Sequence, residues 1–301
     1  MDFNFIPIIS LVAYLILGPL VGGLFMGIDR KITARMQGRV GPPILQPFYD
    51  VRKLLEKEPV TVNNGQDFYI TACLIFMIIT GGLFFYGQNL LLVIFSLTTA
   101  GLFLVIGAYA SGSPYSQIGA DRELLQMMSY EPMVLIMAVG LYMTNGTFRV
   151  SEIISKGPIS IIYLIGIFIG FVFILTIKFR KSPFDLSLSH HAHQELVKGV
   201  STEFSGRTLA AIEISHWYEN VFLLGFIFLF FSNGTWYMAV VGVVACLILY
   251  FLEIVIDNTY ARMKWQFTLK SSWFITIVFG GVNIMVLYFL TVFNIFSEGG
   301  V

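Results

Sequence analysis

The chain has 301 residues, of which 56% are hydrophobic and 12% charged, and its formal net charge is zero. A soluble domain of this length would carry about 25% charged residues, so the composition excludes a soluble globule and indicates an integral membrane protein. The neutral balance of charge gives no electrostatic basis for binding nucleic acid.

Eight apolar segments are long enough to cross a bilayer, whose hydrocarbon core needs about 20 helical residues. They cover residues 7–28, 69–87, 90–110, 123–145, 158–177, 208–231, 236–257 and 271–296. The sequence therefore predicts an all-α integral membrane protein with about eight transmembrane helices, forming a single membrane domain over residues 1–301. The first segment lacks the basic flank of a secretory signal, so we interpret it as a retained helix.

Lysine and arginine are concentrated on one side of the predicted bundle. The connecting segments on that side carry sixteen of the eighteen basic residues, and they are residues 29–68, 111–122, 178–207 and 258–270. The positive-inside rule places these segments in the cytoplasm and both termini outside. Residues 29–68 and 178–207 are long connections, and long connections in a compact protein are usually functional.

The first long loop, residues 29–68, contains a predicted amphipathic helix. Pro47 suits the first helical turn, and the apolar residues around it are spaced to share one helical face: Ile44, Phe48, Val51 and Leu55. Such a helix lies at the membrane interface. It is either a membrane-surface anchor or a docking platform for a peripheral partner, and the periodicity does not decide between them.

The second long loop contains His190, His191 and His193. No helix places the three rings on one face and no cysteine is near, so proton handling or hydrogen bonding at a partner interface is favoured over a metal site. Cys73 and Cys246 each lie in an apolar segment without ligand spacing, and we expect buried thiols. No iron–sulfur cluster is expected in this chain alone.

Several ionisable residues lie inside the predicted spans, where an ionised side chain costs about 2.5–3.5 kcal/mol at a helix centre. They are Glu131, Glu213, His216, Glu219, Glu253 and Asp257. The three in the sixth span follow at steps of three residues, and the two in the seventh span are one turn apart. One such acid can be a structural hydrogen-bonding group. Several on one face, with basic partners scarce, favour a pathway for protons or sodium ions.

Motifs in the loops resemble a known family. The first loop contains Arg35-Met36-Gln37, Arg39, Gly41-Pro42, Leu45-Gln46-Pro47-Phe48, Asp50, Lys53-Leu54 and Lys57-Glu58-Pro59. Further along are Ile118-Gly119-Ala120, Arg122, Ser129-Tyr130-Glu131, Pro183-Phe184-Asp185-Leu186, Glu195-Leu196-Val197, Gly199 and Glu203-Phe204. In this order they resemble the subunit 1 family of membrane proteins in respiratory complex I, which forms the floor of the quinone site.

Three departures from the complex I pattern indicate a more specific relationship. The complex I proteins have glutamate where Asp29 stands here. The second loop is slightly longer between Asp185 and Glu195, where the histidines lie, and the family's Glu-Tyr pair falls on His216-Trp217. The histidine-containing loop and the chain length more closely resemble the homologous membrane protein of Ech-type energy-converting nickel–iron hydrogenases.

The resemblance implies a subunit without its own redox cofactor in a multisubunit oxidoreductase of the prokaryotic plasma membrane. Iron–sulfur clusters and a nickel–iron site are expected in partner subunits. The partners implied are the hydrogenase large and small subunits, an iron–sulfur subunit, an antiporter-like membrane subunit and the lipid bilayer. The chain would dock the redox arm and couple electron transfer from ferredoxin to H⁺ or Na⁺ translocation.

Residue roles carry over from the family one by one. The loop carboxylates are Asp185, Glu195 and Glu203, and the buried acid of the fourth span is Glu131. The docking-loop residues are Arg35, Arg39, Asp50 and Lys53. The other ionisable residues within the spans rest on the physical argument alone. A quinone-reducing complex I subunit and a stand-alone ion-coupled carrier remain alternatives, and the absence of a visible internal repeat disfavours the carrier.

Overall fold

The structure is a computed structural model that describes residues 6–58, 63–184, 186–188 and 196–292. Over these ranges the chain is all α-helical, as predicted, with one isolated β-bridge between Asn89 and Arg149 and no β-strand. Cys73 and Cys246 are both buried thiols, as expected from their apolar surroundings.

The helices within the described ranges follow the predicted spans in chain order. They are α1 (Ile6–Met36), α2 (Gln46–Glu56), α3 (Asn64–Phe85), α4 (Leu90–Ala110), α5 (Pro114–Asn145), α6 (Val150–Lys156), α7 (Ser160–Tyr163), α8 (Ile165–Lys178), α9 (Gly206–Phe231), α10 (Trp236–Thr259), α11 (Trp265–Ile275) and α12 (Val282–Val292). A π-helical turn, Thr276–Gly281, joins α11 to α12 in one long span.

Seven of these helical stretches are long and apolar enough to cross a membrane, and the remaining predicted span, residues 158–177, contains only a shorter apolar helix. Residues 158–177 do not form one helix, because the chain breaks at Leu164 between α7 and α8. Asn283 of α12 accepts the N–H of Ile167 at 3.3 Å and donates to the carbonyl of Tyr163 at 3.0 Å. The break is therefore tolerated because a neighbouring side chain satisfies backbone groups that lipid cannot.

The long loops are shorter than predicted. α1 continues eight residues beyond position 28, to Met36, and α3 begins at Asn64, so the first connection covers residues 37–63. The basic residues at the end of α1 are good helix formers, which permits the extension. Asp29 thus lies within a helix and is buried rather than part of a solvated loop. In the second connection, Lys178 closes α8 and Gly206 opens α9.

The predicted amphipathic helix is present as α2, with proline in its first turn. It packs against α9, where the rings of Phe48 and Trp217 are 5.0 Å apart. Val51 is buried in this contact, but Leu55 is half exposed and Leu54 packs in its place. The predicted face is thus slightly rotated, because α9 contacts positions 51 and 54 rather than 55.

α9 is the central helix of the bundle and packs against α1, α2, α3 and α10. Its second half is fixed by edge-to-face aromatic contacts, in which Phe84 of α3 lies 5.4 Å from Phe222 and 5.5 Å from Phe226. Aromatic pairs of this geometry add to the energy of burial. α9 therefore holds its ionisable residues at fixed positions relative to the neighbouring helices.

Candidate functional site

The end of α8 carries basic side chains into the bundle rather than into solvent. Lys178 donates to Glu219 of α9 at 2.8 Å, and Arg180 donates to Glu123 of α5 at 3.0 Å. These four side chains are 7–15% exposed. Unpaired buried charges are costly, so each pair joins its two helices.

Lys181 forms a third connection in the same segment. Its ammonium group donates to Asp29 of α1 and lies 3.6 Å from Asp257 of α10. Asp257 also accepts the backbone N–H of Ser182 at 2.8 Å. Four residues of chain, 178–181, are therefore bonded to carboxylates on α1, α5, α9 and α10.

Glu123 is held in place by further hydrogen bonds. The Ser187 hydroxyl bonds to Glu123 and lies 2.6 Å from Oε1 of Gln126. The Nε2 group of Gln126 donates to the carbonyl of Phe184 at 2.6 Å. Burial lowers the pKa of Arg180, but the carboxylate of Glu123 raises it above its ordinary value overall. The guanidinium therefore remains charged at any physiological pH.

These pairs surround a cavity of about 380 Å³. Nine of its fifteen lining residues among the described ranges carry acidic or basic side chains: Asp29, Arg30, Lys178, Arg180, Lys181, Glu213, His216, Glu219 and Asp257. A space this large with this many polar partners is suited to water and small ions.

Carboxylates outnumber the cations that balance them. In the described chain, three cations of residues 178–181 face six carboxylates in or beside the cavity: Asp29, Glu123, Glu213, Glu219, Glu253 and Asp257. Arg30 is balanced separately by Asp50 at 2.7 Å. Three carboxylates therefore exceed the balancing cations, and buried carboxylates in that situation are neutralised by a bound proton or cation.

The ionisable residues predicted within the spans are only partly brought together. Glu213, His216, Glu219 and Asp257 line the cavity, and a ring nitrogen of His216 is in hydrogen-bonding contact with Arg180. Glu253 is fully buried and is not one of the residues that line the cavity. Glu131 and Glu203 are half-buried and do not line the cavity, and the predicted residues Asp185, Glu195, His190, His191 and His193 lie outside the described residues.

The docking-loop residues take different positions. Asp50 pairs with Arg30 across the α1–α2 contact, whereas Arg35, Arg39 and Lys53 are exposed. The side chain of Arg39 bonds to the neighbouring Gln37. The exposed basic residues are available to a partner surface.

The sequence interpretation understates the basic partners of the acids, although carboxylates still outnumber cations in the described site. Lys178, Arg180 and Lys181 enter the site, although their positions in the sequence indicate loop charges, and Glu123 is not among the predicted residues. One sequence signal points to these cations: three basic residues fall within four positions directly after an apolar span. The positive-inside rule explains the same cluster as loop charges, so the signal does not separate a buried site from a loop.

The resemblance to the complex I family predicts that Glu131→Gln lowers ion transport while leaving assembly of the complex unchanged. An acid at this depth costs about 2.5–3.5 kcal/mol on insertion, so removing it does not weaken the bundle. Ion uptake by vesicles containing the variant measures the effect. Unchanged uptake with normal assembly would remove Glu131 from the pathway.

The fold and the site together define a multi-pass membrane protein with a charged cavity buried among its helices. Residues 8–288 match the family model described as NADH dehydrogenase, and the chain belongs to that family. The predicted relationship to the subunit 1 membrane proteins of complex I-like complexes is thereby confirmed.

Relatives in the family belong to different complexes. Hydrogenase-4 component C of Escherichia coli (strain K12) is 27% identical over an alignment of 275 positions, which covers 83% of this chain and 86% of that protein. The homologous NADH-quinone oxidoreductase subunit of Syntrophotalea carbinolica is 29% identical over an alignment of 315 positions, which covers 93% of this chain and 91% of that protein. A chain of the membrane-bound sulfane sulfur reductase, an archaeal respiratory membrane complex, superposes with a TM-score of 0.80 at 25% identity, covering 93% and 99%. The chain is thus similar to membrane subunits of oxidoreductase complexes.

Proposed function

We propose that this chain is the membrane subunit of an energy-converting, ferredoxin-linked nickel–iron hydrogenase. It docks the peripheral redox arm and couples electron transfer to translocation of H⁺ or Na⁺. The observation that carries the coupling role is the cavity, in whose described lining nine of fifteen residues carry acidic or basic side chains. Iron–sulfur clusters and the nickel–iron site belong to partner subunits in this proposal.

The charged residues of the cavity support ion movement as its role. In the described lining, the side chains of Met26, Phe179 and Leu188 are apolar, whereas nine of the fifteen are acidic or basic. These nine side chains offer polar partners to water and ions. Similarity to hydrogenase-4 component C supports the hydrogenase assignment.

The coupling step follows from the excess of carboxylates over cations. A movement of residues 178–181 changes which carboxylate each cation contacts, because one segment pairs with four helices. A carboxylate that loses its cation takes up a proton, and one that gains a cation releases a proton. α2 is placed to transmit such a movement, since it packs on α9 beside the acids.

The long connections are proposed to face the cytoplasm, with both termini outside. Asp29, Lys181, Glu213 and Asp257 all lie near the helix ends that lead into or out of these connections. The cavity is therefore at the same end of the bundle as the basic connections, where a cytoplasmic redox arm would dock.

Two other redox reactions are competing functions within the same family. The NADH-quinone oxidoreductase relative is 29% identical, which favours quinone reduction, and the sulfane sulfur reductase chain has a TM-score of 0.80, which favours sulfane sulfur reduction. Each changes the peripheral reaction and leaves the coupling role of this chain intact. A stand-alone carrier would instead transport ions in liposomes without any redox partner.

The test is purification of the intact complex in mild detergent through a tag on this chain. Nickel analysis follows, with assays of hydrogen evolution, quinone reduction and sulfane sulfur reduction. Stoichiometric nickel with hydrogen evolution from reduced ferredoxin is expected. A nickel-free complex that reduces quinone or sulfane sulfur would overturn the hydrogenase assignment. Ion transport by the isolated chain would overturn the role as a subunit.

A further inference from the structure

The break between α7 and α8 is caused by a side chain from another helix. Sharp breaks in helices arise at proline, at glycine–serine pairs, at π-turns or where a side chain enters the hydrogen-bond ladder. Residues 160–178 contain no proline. The groups that Asn283 binds are the carbonyl of Tyr163 and the N–H of Ile167. These two groups are four residues apart, so a continuous α-helix would bond them directly to each other.

The amide of Asn283 therefore takes the place of one helical hydrogen bond. Helical bonds are formed on both sides of it, because the N–H of Leu164 donates to the carbonyl of Ser160 at 3.0 Å and the N–H of Phe168 donates to the carbonyl of Leu164 at 2.8 Å. Nothing in this sequence of residues prevents the helix from closing. The position of one side chain on α12 decides whether it is open.

The surface of α8 beside the break permits movement. Gly166 lies against the π-helical turn, where a Cβ atom would be 2.9 Å from the carbonyl oxygen of Phe279. Gly170, one turn along, lies against the terminal methyl of Met133 of α5. Methionine is unbranched and adapts its shape, and π-turns within helices are frequent at functional sites. These contacts oppose a shift of α8 less than interlocked branched side chains would.

The far end of α8 carries the cations of the charged site. The eleven residues from Ile167 to Lys178 span about 17 Å at 1.5 Å per residue. A tilt of about 10° at the break would therefore displace Lys178 by about 3 Å. Lys178 bonds Glu219 at 2.8 Å and Arg180 bonds Glu123 at 3.0 Å, so a displacement of this size separates such pairs. The break and the charged site are the two ends of one short helix.

We propose that Asn283 is a positioning residue of the coupling step, and that its amide sets which of two arrangements α8 adopts. In the arrangement described above, the amide holds the ladder open between Tyr163 and Ile167. In the other, the amide withdraws, Ile167 bonds directly to Tyr163, and α8 tilts together with residues 178–181. The inference rests on the proposed coupling function, which requires those four residues to move.

The exchange keeps the number of hydrogen bonds constant. The open arrangement has two, from Asn283 to Tyr163 and from Ile167 to Asn283. The closed arrangement has the direct bond from Ile167 to Tyr163, and the released amide N–H reaches back to the carbonyl of Phe279, four residues earlier in the same span. No backbone group is left unpaired in lipid, where that would be costly. Both arrangements are therefore accessible to one sequence.

The structural test is excimer fluorescence from pyrene attached at Ile162→Cys and Ile169→Cys in the intact complex. The two positions are 67% and 49% exposed, whereas the native thiols of Cys73 and Cys246 are buried. In a continuous helix, positions seven apart lie on one face, so closure of the ladder raises excimer emission. The oxidised complex and the complex reduced with dithionite should differ. Asn283→Leu should give the higher emission in both states.

The functional test is the number of ions moved per redox turnover in liposomes that contain the intact complex. Asn283→Leu should keep redox turnover and lower this ratio several-fold, because residues 178–181 stay with one set of partners. Asn283→Gln retains the amide and should keep most of the ratio. Thr291→Val is the matched control on α12, since the Thr291 hydroxyl bonds within its own helix, to the carbonyl of Leu287 at 2.9 Å. It should change neither measurement.

Two results would overturn the positioning role. One is equal excimer emission from the oxidised and reduced forms of a labelled complex that moves ions, which would mean that α8 does not move at the break. The other is an unchanged ratio in an assembled Asn283→Leu complex. The fluorescence does not depend on ion movement. Emission that changes with redox state in a complex that moves no ions would therefore reject the proposed coupling function and leave the movement of α8 in place.

Discussion

Arg180→Gln is expected to lower the free energy of unfolding by about 3–5 kcal/mol, the cost of removing one partner from a buried ion pair. The guanidinium bonds Glu123 at 3.0 Å, and the two side chains are 15% and 8% exposed. Without it, Glu123 would remain inside the bundle as an uncompensated acid, still bonded to Ser187. Thermal or denaturant unfolding of the purified complex in detergent measures the loss.

A double variant separates the pair from its surroundings. Glu123→Gln combined with Arg180→Gln replaces the ion pair with two neutral amides and should recover most of the lost stability. Arg149→Gln is the matched control, because Arg149 pairs with Glu152 at 3.9 Å on an exposed surface and such pairs contribute little. Equal losses in Arg149→Gln and Arg180→Gln would contradict the buried pair.

Gly22→Ala is expected to separate α1 from α9 and to lower both stability and coupling. A Cβ atom at this position would lie 2.2 Å from the backbone carbonyl oxygen of Trp217, which has no flexible atom to yield. Overpacking of this kind costs about 1–3 kcal/mol. Because α1 carries Asp29 and α9 carries Glu219, the same displacement disturbs the cavity.

Gly281→Ala is the control for this substitution, since nothing lies within 4 Å of a Cβ atom at Gly281. Unfolding temperature and recovery of the assembled complex by size-exclusion chromatography compare the two variants. Gly22→Ala should lower both, and Gly281→Ala should match the wild type. A Gly22→Ala complex as stable as the wild type would show that α1 and α9 do not pack this closely.

The transmembrane spans were largely predictable because the bilayer imposes length and composition on them. The third predicted span, 90–110, coincides with α4, whose start is fixed by the Asn89 side chain accepting the N–H of Leu91. The break at Leu164 was not predictable, because that residue and its neighbours are as apolar as the rest of the span. The extension of α1 was hidden by the basic residues that suggested a loop.

The candidate site was predictable where it depends on local periodicity. Steps of three residues place Glu213, His216 and Glu219 on one face of a helix, and all three line the cavity. The pairing of charges was not predictable, because it joins distant parts of the chain. Lys178 and Glu219 are 41 residues apart, and Lys181 and Asp29 are 152 residues apart. Without the fold, the cations resemble ordinary loop charges.

The proposed coupling role is tested most directly by the number of ions moved per redox turnover in liposomes that contain the whole complex with Glu219→Gln. Glu219 is a cavity acid that bonds Lys178 at 2.8 Å, so its replacement leaves Lys178 without this acidic partner. With Glu152→Gln as the control, the account predicts that redox turnover persists and ion movement is lost in Glu219→Gln. An unchanged ratio of ions to turnovers in a correctly assembled Glu219→Gln complex would contradict it.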